Sequence, residues 1–499
     1  MKLRKLSILG FLALAATSAN ATNYYVSPTG GGDGKSIDSP ATLTKGLQML
    51  SSGDSLFLKG GQYDLKSGLS ISRSGKSAEE MTFIGAVPGE KPVLDFRNQP
   101  HKLNGVTLSG SYIHLKGITI QYAGYKGLIN NGSYNTMELL VARGNSDTGI
   151  QQKNGKSNLI LNCDSYDNFD YMTGSIGAAD WGGNADGFAD KQYTNSPGNT
   201  YIGCRSWNNS DDGWDHYQRV GGTTLYFNCI CYKNGPAEYN MSNHPRRNTD
   251  ASFFDQFDGN GITITLKGGG TKSCSLEHFY NNGNGNGFKL GGGSTKHDVT
   301  LYRCLSVGNT IKGFDQNSDA GEIRIYNCTS YNNGQNYGFY NNNGYSLDIR
   351  NCISLKSKKN NTFTGSKISQ SNNSWNTGFS VSDADFESLD ETQILGDRQE
   401  DGSLPEMTLL HLKANSKLVN AGTTIDNIEG LQVFYNGSAA DLGCYETGAT
   451  TGIAETAIVK KGGKIVVLYD ANGRQVKDMQ KGNIYIARYD NGDIVKIAK

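Results

Sequence analysis

Proline is scarce in this chain of 499 residues, which has only 9 prolines beside 65 glycines. Its formal charges cancel, with 47 lysines and arginines against 47 aspartates and glutamates, so no global field favours nucleic acid as a partner. A glycine-rich chain can be disordered, but 27 tyrosines and 18 phenylalanines favour a packed protein. We therefore expect many short strands that are separated by turns rich in glycine and asparagine.

A hydrophobic run long enough to cross a membrane is also missing. The apolar run at residues 6–16 follows three basic residues and precedes Ala-Asn-Ala at 19–21, which is the pattern of a cleavable signal peptide. No cysteine lies near the cleavage site to carry a lipid. We therefore expect residues 1–21 to be removed and the mature protein to be an exported monomer in the periplasm, on the cell surface or in the medium.

The chain has nine cysteines, and because this number is odd they cannot all be paired in disulfides within the chain. Cys304, Cys328 and Cys352 recur at intervals of 24 residues, and the same unit recurs earlier with Glu277, Cys229, Cys204 and Cys163 at this position. Weaker copies carry Val141 and Gly117. A residue at one position of a stacked repeat points inward each time. We therefore interpret most of these cysteines as buried thiols that pack like small hydrophobic residues.

The repeat unit contains a short apolar strand, an asparagine-rich turn and a glycine followed by an aromatic residue. A period of 22 to 27 residues with these turns is typical of a parallel β-helix, and the leucine spacing of leucine-rich repeats is absent. We predict an all-β parallel β-helix of about ten coils. The shared positions are Gly149, Gly187, Gly213, Gly287, Gly313 and Gly338 for the glycine, and Asn168, Asn209, Asn234, Asn282, Asn309 and Asn333 for an internal asparagine ladder.

The domain organisation follows from where the repeat begins and ends. The β-helix domain should span residues 22–446, with a helix near Leu43 that caps its first coil and a segment from 357 that caps its last. Residues 447–454 have the composition of a linker, and residues 455–499 alternate like a small separate β module. Two interruptions, near 168–183 and 236–260, should wall the binding face of the solenoid.

Four aspartates are concentrated in two turns that have nearly the same sequence. Asp-Gly-Phe begins at Asp186 and Asp-Gly-Trp begins at Asp212, 26 residues later. If 26 residues form one coil, these two carboxylates lie roughly 4.8 Å apart and repel each other unless a cation separates them. Asp211 and Asp215 would complete an all-oxygen cluster suited to Ca²⁺.

A lysine shares the face of this cluster. The residue two after the turn glycine is Ala189, Asp215, Lys289 or Asp315, and Gly261 would supply a coil between Asp215 and Lys289. That arrangement places Lys289 two strands from Asp215, roughly 10 Å along the axis. A metal beside a lysine suits β-elimination on an acidic sugar, but clustered carboxylates also suit hydrolysis, so the residues alone leave both chemistries open.

Three motifs resemble polysaccharide lyase family 9, the calcium-dependent pectate lyases. They are ADGFADK at 185–191, GCRSWNNSDDGWD at 203–215 and NGFKLGG at 286–292. The resemblance implies that the parallel β-helix is right-handed. It also implies that Asp186, Asp211, Asp212 and Asp215 hold the catalytic calcium and that Lys289 is the Brønsted base. The family also contains enzymes that cut rhamnogalacturonan, so the implied acidic pectic substrate is polygalacturonate or rhamnogalacturonan I.

Further basic residues are candidates for binding the carboxylates of such a substrate, since arginine in particular pairs with carboxylates in a bidentate manner. Two other classes of function stay open: a β-helix glycoside hydrolase of pectin, and a non-catalytic adhesin or carbohydrate-binding solenoid. The candidate substrate-binding residues are Lys191, Arg246, Arg247, Lys267 and Arg303.

Overall fold

The computed structural model describes residues 21–235, 238–257, 261–378 and 380–425 as continuous stretches, and further on residues 428, 432–433, 435–448, 456–457, 465–470, 484–489 and 494–498. The predicted signal peptide lies outside the described residues except at its last position. Most of the predicted linker lies outside them as well. Among the described residues, no helix is long and apolar enough to cross a membrane.

Three parallel sheets form the body of the fold, and the chain passes through sheets 1, 2 and 3 in turn in each coil. Sheets 2 and 3 have ten strands each, which confirms a parallel β-helix of about ten coils. Sheet 1 has twelve strands: Asn23–Val26, Ser55–Leu58, Thr82–Ala86, Ile113–Lys116, Thr136–Glu138, Leu159–Leu161, Thr200–Ile202, Gly221–Phe227, His297–Tyr302, Glu322–Tyr326, Ser346–Arg350 and Ile368–Ser371. Sheet 2 contains Gly61–Asp64, Pro92–Asp95, Thr119–Gln121, Val141–Arg143, Asp164–Tyr166, Arg205–Trp207, Ile230–Tyr232, Leu305–Val307, Thr329–Tyr331 and Ile353–Leu355. Sheet 3 contains Leu69–Ile71, Val106–Leu108, Leu128–Asn130, Ile150–Lys153, Phe188–Lys191, Trp214–Asp215, Phe288–Lys289, Lys312–Asp315, Gln335–Phe339 and Thr362–Phe363.

The interior of the solenoid consists of columns in which like residues stack. Beneath sheet 3 the rings of Phe188, Trp214 and Phe288 stack with centroids 4.7 and 5.0 Å apart, and the column continues to Phe314 and Tyr337. All nine cysteines are buried and free of disulfides, as predicted for most of them. In the two coils before Cys163, the strand register gives the thiol position to Leu140 and Ile118, one residue away from the predicted Val141 and Gly117.

The predicted asparagine ladder exists at the turn between sheets 2 and 3. The backbone N–H of Asn168 donates to the side-chain oxygen of Asn209 at 3.2 Å, and that of Asn209 donates to Asn234 at 3.2 Å. The next step runs directly from Asn234 to Asn309 at 3.0 Å, so Asn282 is not part of the ladder. Each buried turn N–H is thereby satisfied by the coil above it.

The predicted capping helix is Leu43–Met49, and Thr42 caps its N-terminus by accepting a hydrogen bond from the backbone of Lys45. Leu43 is buried, and Leu47 packs against the core. The helix approaches the first coil so closely that a side chain at Gly46 would meet Val26 and Leu56 at under 3.0 Å. The helix therefore covers the open end of the apolar core.

Both predicted interruptions leave the solenoid at the same corner, between sheets 2 and 3, and they pack together. Phe169, Tyr171 and Trp181 of the first contact Phe253, Phe257 and Phe279 of the second in a separate apolar cluster. The second contains the helix Ala251–Phe254, a 3₁₀ turn at Asp255–Phe257, the antiparallel hairpin of Ile262–Thr265 with Thr271–Cys274, and the antiparallel pair of Glu238–Tyr239 with Phe279–Tyr280. It runs to about residue 284, because the described residues between Ile230–Tyr232 and Phe288–Lys289 include no solenoid strand.

Two predictions about the repeat are therefore wrong. The segment around Gly261 and Glu277 is not a coil, because Gly261 precedes the hairpin and the residues after Glu277 form an antiparallel pair. Gly338 also does not share the position of the other turn glycines. It lies beside Asp315, so Asn336 takes that position in its coil.

The segment after residue 380 does not cap the last coil as expected; it returns along the outside of the solenoid. Leu409, Leu418 and Leu442 pack on the outer face of sheet 2, and Ile425 packs on that of sheet 1. It includes 3₁₀ turns at Asp383–Asp385 and Glu391–Leu395. Further on, Gln432–Val433 pairs with Thr456–Ala457, and Ile465–Asp470, Ile484–Tyr489 and Ile494–Ala498 form an antiparallel sheet. That residues 455–499 form a separate module remains a prediction.

Candidate active site

The aspartate cluster lies at the edge of sheet 3, just before two neighbouring strands. Phe188 pairs with Trp214, and the N–H of Gly187 donates to the carbonyl of Asp212 at 2.9 Å, so Asp186 and Asp212 occupy equivalent positions in adjacent coils. Carboxylate oxygens of Asp186, Asp211 and Asp212 all lie within 4.8 Å of one another. A Cβ at position 187 would lie 2.0 Å from the hydroxyl of Ser206, which explains why glycine follows the aspartate here.

The cluster has the features of a site for a hard cation. Its three carboxylates are buried, and Oδ1 of Asp186 has no hydrogen-bond partner among the described residues. Burial and the charge of Asp212 raise the pKa of Asp211 to about 7. Burial, and beyond it the charge of Asp215, also raises the pKa of Asp186, although Lys191 opposes this. Buried like charges of this kind are stabilised by a cation bound between them, and the all-oxygen donor set fits Ca²⁺.

Two lysines cover the aspartates from the open face of sheet 3. The Lys289 ammonium lies 2.8 Å from Oδ2 of Asp212 and 3.1 Å from Oδ1 of Asp215. That of Lys191 lies 2.5 Å from Asp215 and 3.6 Å from Asp186. Although burial opposes it, Asp212 and Asp215 raise the pKa of Lys289 well above its ordinary value. Burial alone would raise the pKa of Asp215, but Lys191 and Lys289 outweigh burial and lower this pKa below its ordinary value.

Lys289 is closer to the cluster than the sequence predicted. Asp215 and Lys289 are direct partners on neighbouring strands, one strand spacing apart rather than two. Among the described residues between them, the chain forms no coil of sheet 3, because the insertion leaves the solenoid and returns to the same level. The lysine therefore reaches the cluster without extending along the axis.

Two asparagines that hold the site were not singled out as site residues by the sequence analysis. The N–H groups of Asn284 and Asn286 donate to Asp211 and Asp212 at 2.5 and 2.8 Å, and the side-chain amide of Asn286 also donates to Asp212 at 2.8 Å. Asn286 precedes Phe288 by two residues, as Asp212 precedes Trp214. This shared position is the signal that would have placed it in the site.

A buried hydrogen-bonded group supports the site from inside the solenoid. His216 lies 2.7 Å from His297 and 2.5 Å from the hydroxyl of Tyr226. His297 in turn lies 3.3 Å from Asp319. Burial lowers the pKa of both His216 and His297 well below the ordinary value, which favours the neutral imidazoles as hydrogen-bonding groups in the core.

The remaining predicted substrate-binding residues lie in different surroundings. Arg246 is fully buried, forms an ion pair with Asp250 at 2.8 Å, and donates to the carbonyls of Phe96 and Gln99, so it fastens the insertion to the N-terminal coils. Arg303 is buried at the corner between sheets 1 and 2 and pairs with Glu446 at 3.0 Å. The structure brings neither arginine to the aspartates.

The other two candidates lie in the insertion. A side-chain N–H of Arg247 donates to the carbonyl of Ser242 at 3.0 Å. Lys267 is exposed at the tip of the hairpin, and its backbone N–H donates to Asn282, two residues before Asn284. Lys191 is therefore the member of this set that contacts the aspartates directly.

Comparisons with known proteins agree with this architecture. The sequence matches the family described as "Pel9A-like, right handed beta helix region" over residues 24–252 and 246–361. It is 34% identical to pectate lyase L of Dickeya dadantii (strain 3937) over 442 residues, which cover 85% of this chain and 90% of that protein. The structure is similar to that of pectate lyase Pel9A, with a TM-score of 0.70 and 34% identity over 87% of this chain and 98% of that one. A rhamnogalacturonan lyase is similar with a TM-score of 0.64 and 25% identity over 79% of this chain and 97% of that one.

Proposed function

This chain belongs to the Pel9A-like right-handed β-helix family and is a polysaccharide lyase, and from that premise we propose that it cleaves a galacturonate-containing pectic backbone by calcium-assisted β-elimination. The pectate lyases among its relatives favour polygalacturonate as the substrate. The similar rhamnogalacturonan lyase makes rhamnogalacturonan I the second choice. Export of the mature protein and a monomeric state belong to the same proposal.

The observation that supports the mechanism best is the contact of Lys289 with the aspartate cluster. Its ammonium lies between Asp212 and Asp215, and only 11% of its side chain is exposed. A base in this position faces the open side of sheet 3, where a sugar ring can approach, while the acidic groups lie beneath it. A carboxylate cluster and the amino group of Lys289 thus lie within a few ångströms of each other, which supports the proposed pairing of a metal ion with a base.

In the proposed reaction Lys289 acts as its neutral amine and removes the C5 proton of a galacturonate residue. The electron pair of the C5–H bond forms the C4–C5 double bond as the C4–O bond to the next sugar breaks, and the departing oxygen takes up a proton. Asp186, Asp211, Asp212 and Asp215 would hold the calcium ion. That ion supplies positive charge that neutralises the substrate carboxylate, acidifies the C5 proton and offsets the aspartates that raise the pKa of Lys289.

The surrounding residues keep this arrangement in place. Asn286 fixes the carboxylate of Asp212 with two hydrogen bonds, and the N–H of Tyr217 donates to Asp215 at 2.9 Å. Because both acceptors are held from the backbone, the oxygens keep their positions when the lysine releases or gains a proton. Pre-organised groups of this kind lower the reorganisation that the reaction requires.

The test is an assay of the mature protein on polygalacturonate and, separately, on rhamnogalacturonan I. Ultraviolet absorbance of the conjugated double bond is followed with added calcium and with a chelator. Calcium-dependent absorbance on either polymer supports the lyase and identifies its substrate. New reducing ends without absorbance would mean a hydrolase, and binding without any product would mean a carbohydrate-binding protein.

A further inference from the structure

The contact of Lys289 with Asp215 has a counterpart on the next strand of sheet 3, between Lys312 and Asp315. Asp215, Lys289 and Asp315 are successive partners in one column, which places the two aspartates roughly 10 Å apart. Asp315 binds the ammonium of Lys312 at 3.0 Å, as Asp215 binds that of Lys289 at 3.1 Å. Each aspartate also accepts the N–H of the residue two positions later, at 2.9 Å for Asp215 and 3.0 Å for Asp315.

Each of these lysines lies near an exposed tyrosine ring. The Lys289 ammonium is 5.9 Å from the ring centre of Tyr217, and that of Lys312 is 4.6 Å from the ring centre of Tyr340. The tyrosines are 45% and 40% exposed, although large hydrophobic side chains are mostly buried in this fold. Tyr217 and Tyr340 follow equivalent inward-facing residues by three positions, so they lie along the same edge of sheet 3.

Lys312, Asp315 and Tyr340 form a second group, and it differs from the group around Lys289 because it has no carboxylate cluster. The positions that Asp186 and Asp212 hold in their coils are taken by Asn286 and Lys312 in the next two coils. Among the described residues, the aspartates at 186, 211 and 212 form the one carboxylate group close enough to share a metal ion. The second group therefore offers a cation and an aromatic ring to a ligand, without a metal.

Of the ion pair in the second group, the lysine is the more exposed partner. The Lys312 side chain is 17% exposed, whereas that of Asp315 is 1% exposed. A polysaccharide that lies on sheet 3 thus meets the ammonium and the face of Tyr340, with the carboxylate beneath. A lysine beside an exposed aromatic ring suits a sugar that carries a carboxylate, since the ring packs against the pyranose and the ammonium attracts the acid.

We propose that Lys312 and Tyr340 form a second uronate subsite, which binds another galacturonate of the same chain while Lys289 acts on the first. The subsite rests on the proposed function, because it takes part of the same acidic substrate. It favours polygalacturonate, in which every residue has a carboxylate, over a backbone in which acidic and neutral sugars alternate. The residues of the subsite bind substrate and take no part in the proton transfer.

The test compares the lyase kinetics of Lys312→Gln, Tyr340→Ala and Tyr340→Phe on polygalacturonate. We expect KM to rise about tenfold for Lys312→Gln and Tyr340→Ala with kcat changed less than about twofold, because uniform binding is lost. Tyr340→Phe keeps the ring and should keep the wild-type KM. Lys312→Gln should also weaken the dependence of KM on salt, since a screened charge contact is removed. On rhamnogalacturonan I the same variants should change KM less.

Lys66→Gln is the matched control, because Lys66 is exposed before the first strand of sheet 3, at the other end of the solenoid. Equal KM values for Lys312→Gln and Lys66→Gln on polygalacturonate would overturn the subsite. Binding of saturated trigalacturonate to Lys289→Ala, measured by calorimetry with and without Lys312→Gln, gives a second readout without turnover. Absence of lyase product from the wild-type protein would refute the proposed function instead, so the two failures are distinguishable.

Discussion

Removal of the proposed base should make calcium bind more tightly, although the enzyme loses activity. In Lys289→Met, two ion pairs of 2.8 and 3.1 Å between buried groups are lost. Breaking a buried pair costs about 3 kcal/mol or more when its partner is left uncompensated. If a bound cation restores the balance of charge, the variant recovers this cost on binding. At about 1.4 kcal/mol for each factor of ten, full recovery corresponds to roughly a hundredfold tighter Kd.

The assay is calorimetric titration of calcium into wild-type protein and Lys289→Met, together with thermal unfolding in chelator and in calcium. We expect the variant to unfold at a lower temperature in chelator and to be stabilised more strongly by calcium, since binding to the native state raises its stability. Lys312→Met is the matched control, because it breaks an ion pair of 3.0 Å outside the cluster and should leave the calcium affinity unchanged. An equal Kd for Lys289→Met and wild type would refute the reasoning.

Three further predictions concern pH and stability. Burial raises the pKa of Asp211 to about 7, so the native protein binds more protons at this carboxyl than the unfolded protein does. The free energy of unfolding in chelator should therefore fall as pH rises from about 4 to about 7. Asp211→Asn should flatten that slope in urea titrations, and an unchanged slope would contradict the assignment. Asn168→Ala should cost about 2–3 kcal/mol in urea unfolding, because it leaves the buried N–H of Asn145 without its acceptor, and a loss near zero would show that the ladder does not stabilise the fold. Arg246→Ala should lower the free energy of unfolding by about 3–5 kcal/mol because Asp250 stays buried, with kcat retained in the folded protein; loss of kcat at full folding would assign Arg246 to the site.

The repeat and the aspartate cluster could be predicted from the sequence because both depend on local patterns. Cys304, Cys328 and Cys352 recur at equal intervals, so the coil length followed from counting. A similar interval, 26 residues, placed Asp186 beside Asp212, which the strand register bears out. Local repetition of this kind needs no knowledge of long-range packing.

The position of Lys289 could not be derived in this way, because the described part of the insertion before it forms no coil. The segment around Gly261 and Glu277 contains the same short sequence motifs as the repeat, but it folds into antiparallel strand pairs beside a separate apolar cluster. The roles of Arg246 and Arg303 were equally hidden. Their partners, Asp250 and Glu446, are set by the packing of the insertion and of the returning segment on the solenoid.

The returning segment shows a further limit of pattern reasoning. After the last coil the period disappears, and a loss of period alone suggested a cap. The leucines of this segment instead cover the outer face of sheet 2, whose outward residues, such as Tyr232 and Leu305, are apolar. An outward apolar column in the later coils is the signal that would have predicted a cover over this face.

The measurement that tests the central claim most directly is the turnover of Lys289→Ala on polygalacturonate in the presence of calcium. The account predicts that formation of the conjugated double bond falls by about 10²- to 10⁴-fold, the usual contribution of a general base, while circular dichroism and calcium titration show a folded protein that still binds the ion. The control Lys66→Ala should keep the wild-type rate. A rate near that of wild type for a folded Lys289→Ala would remove this lysine from the reaction and contradict the account.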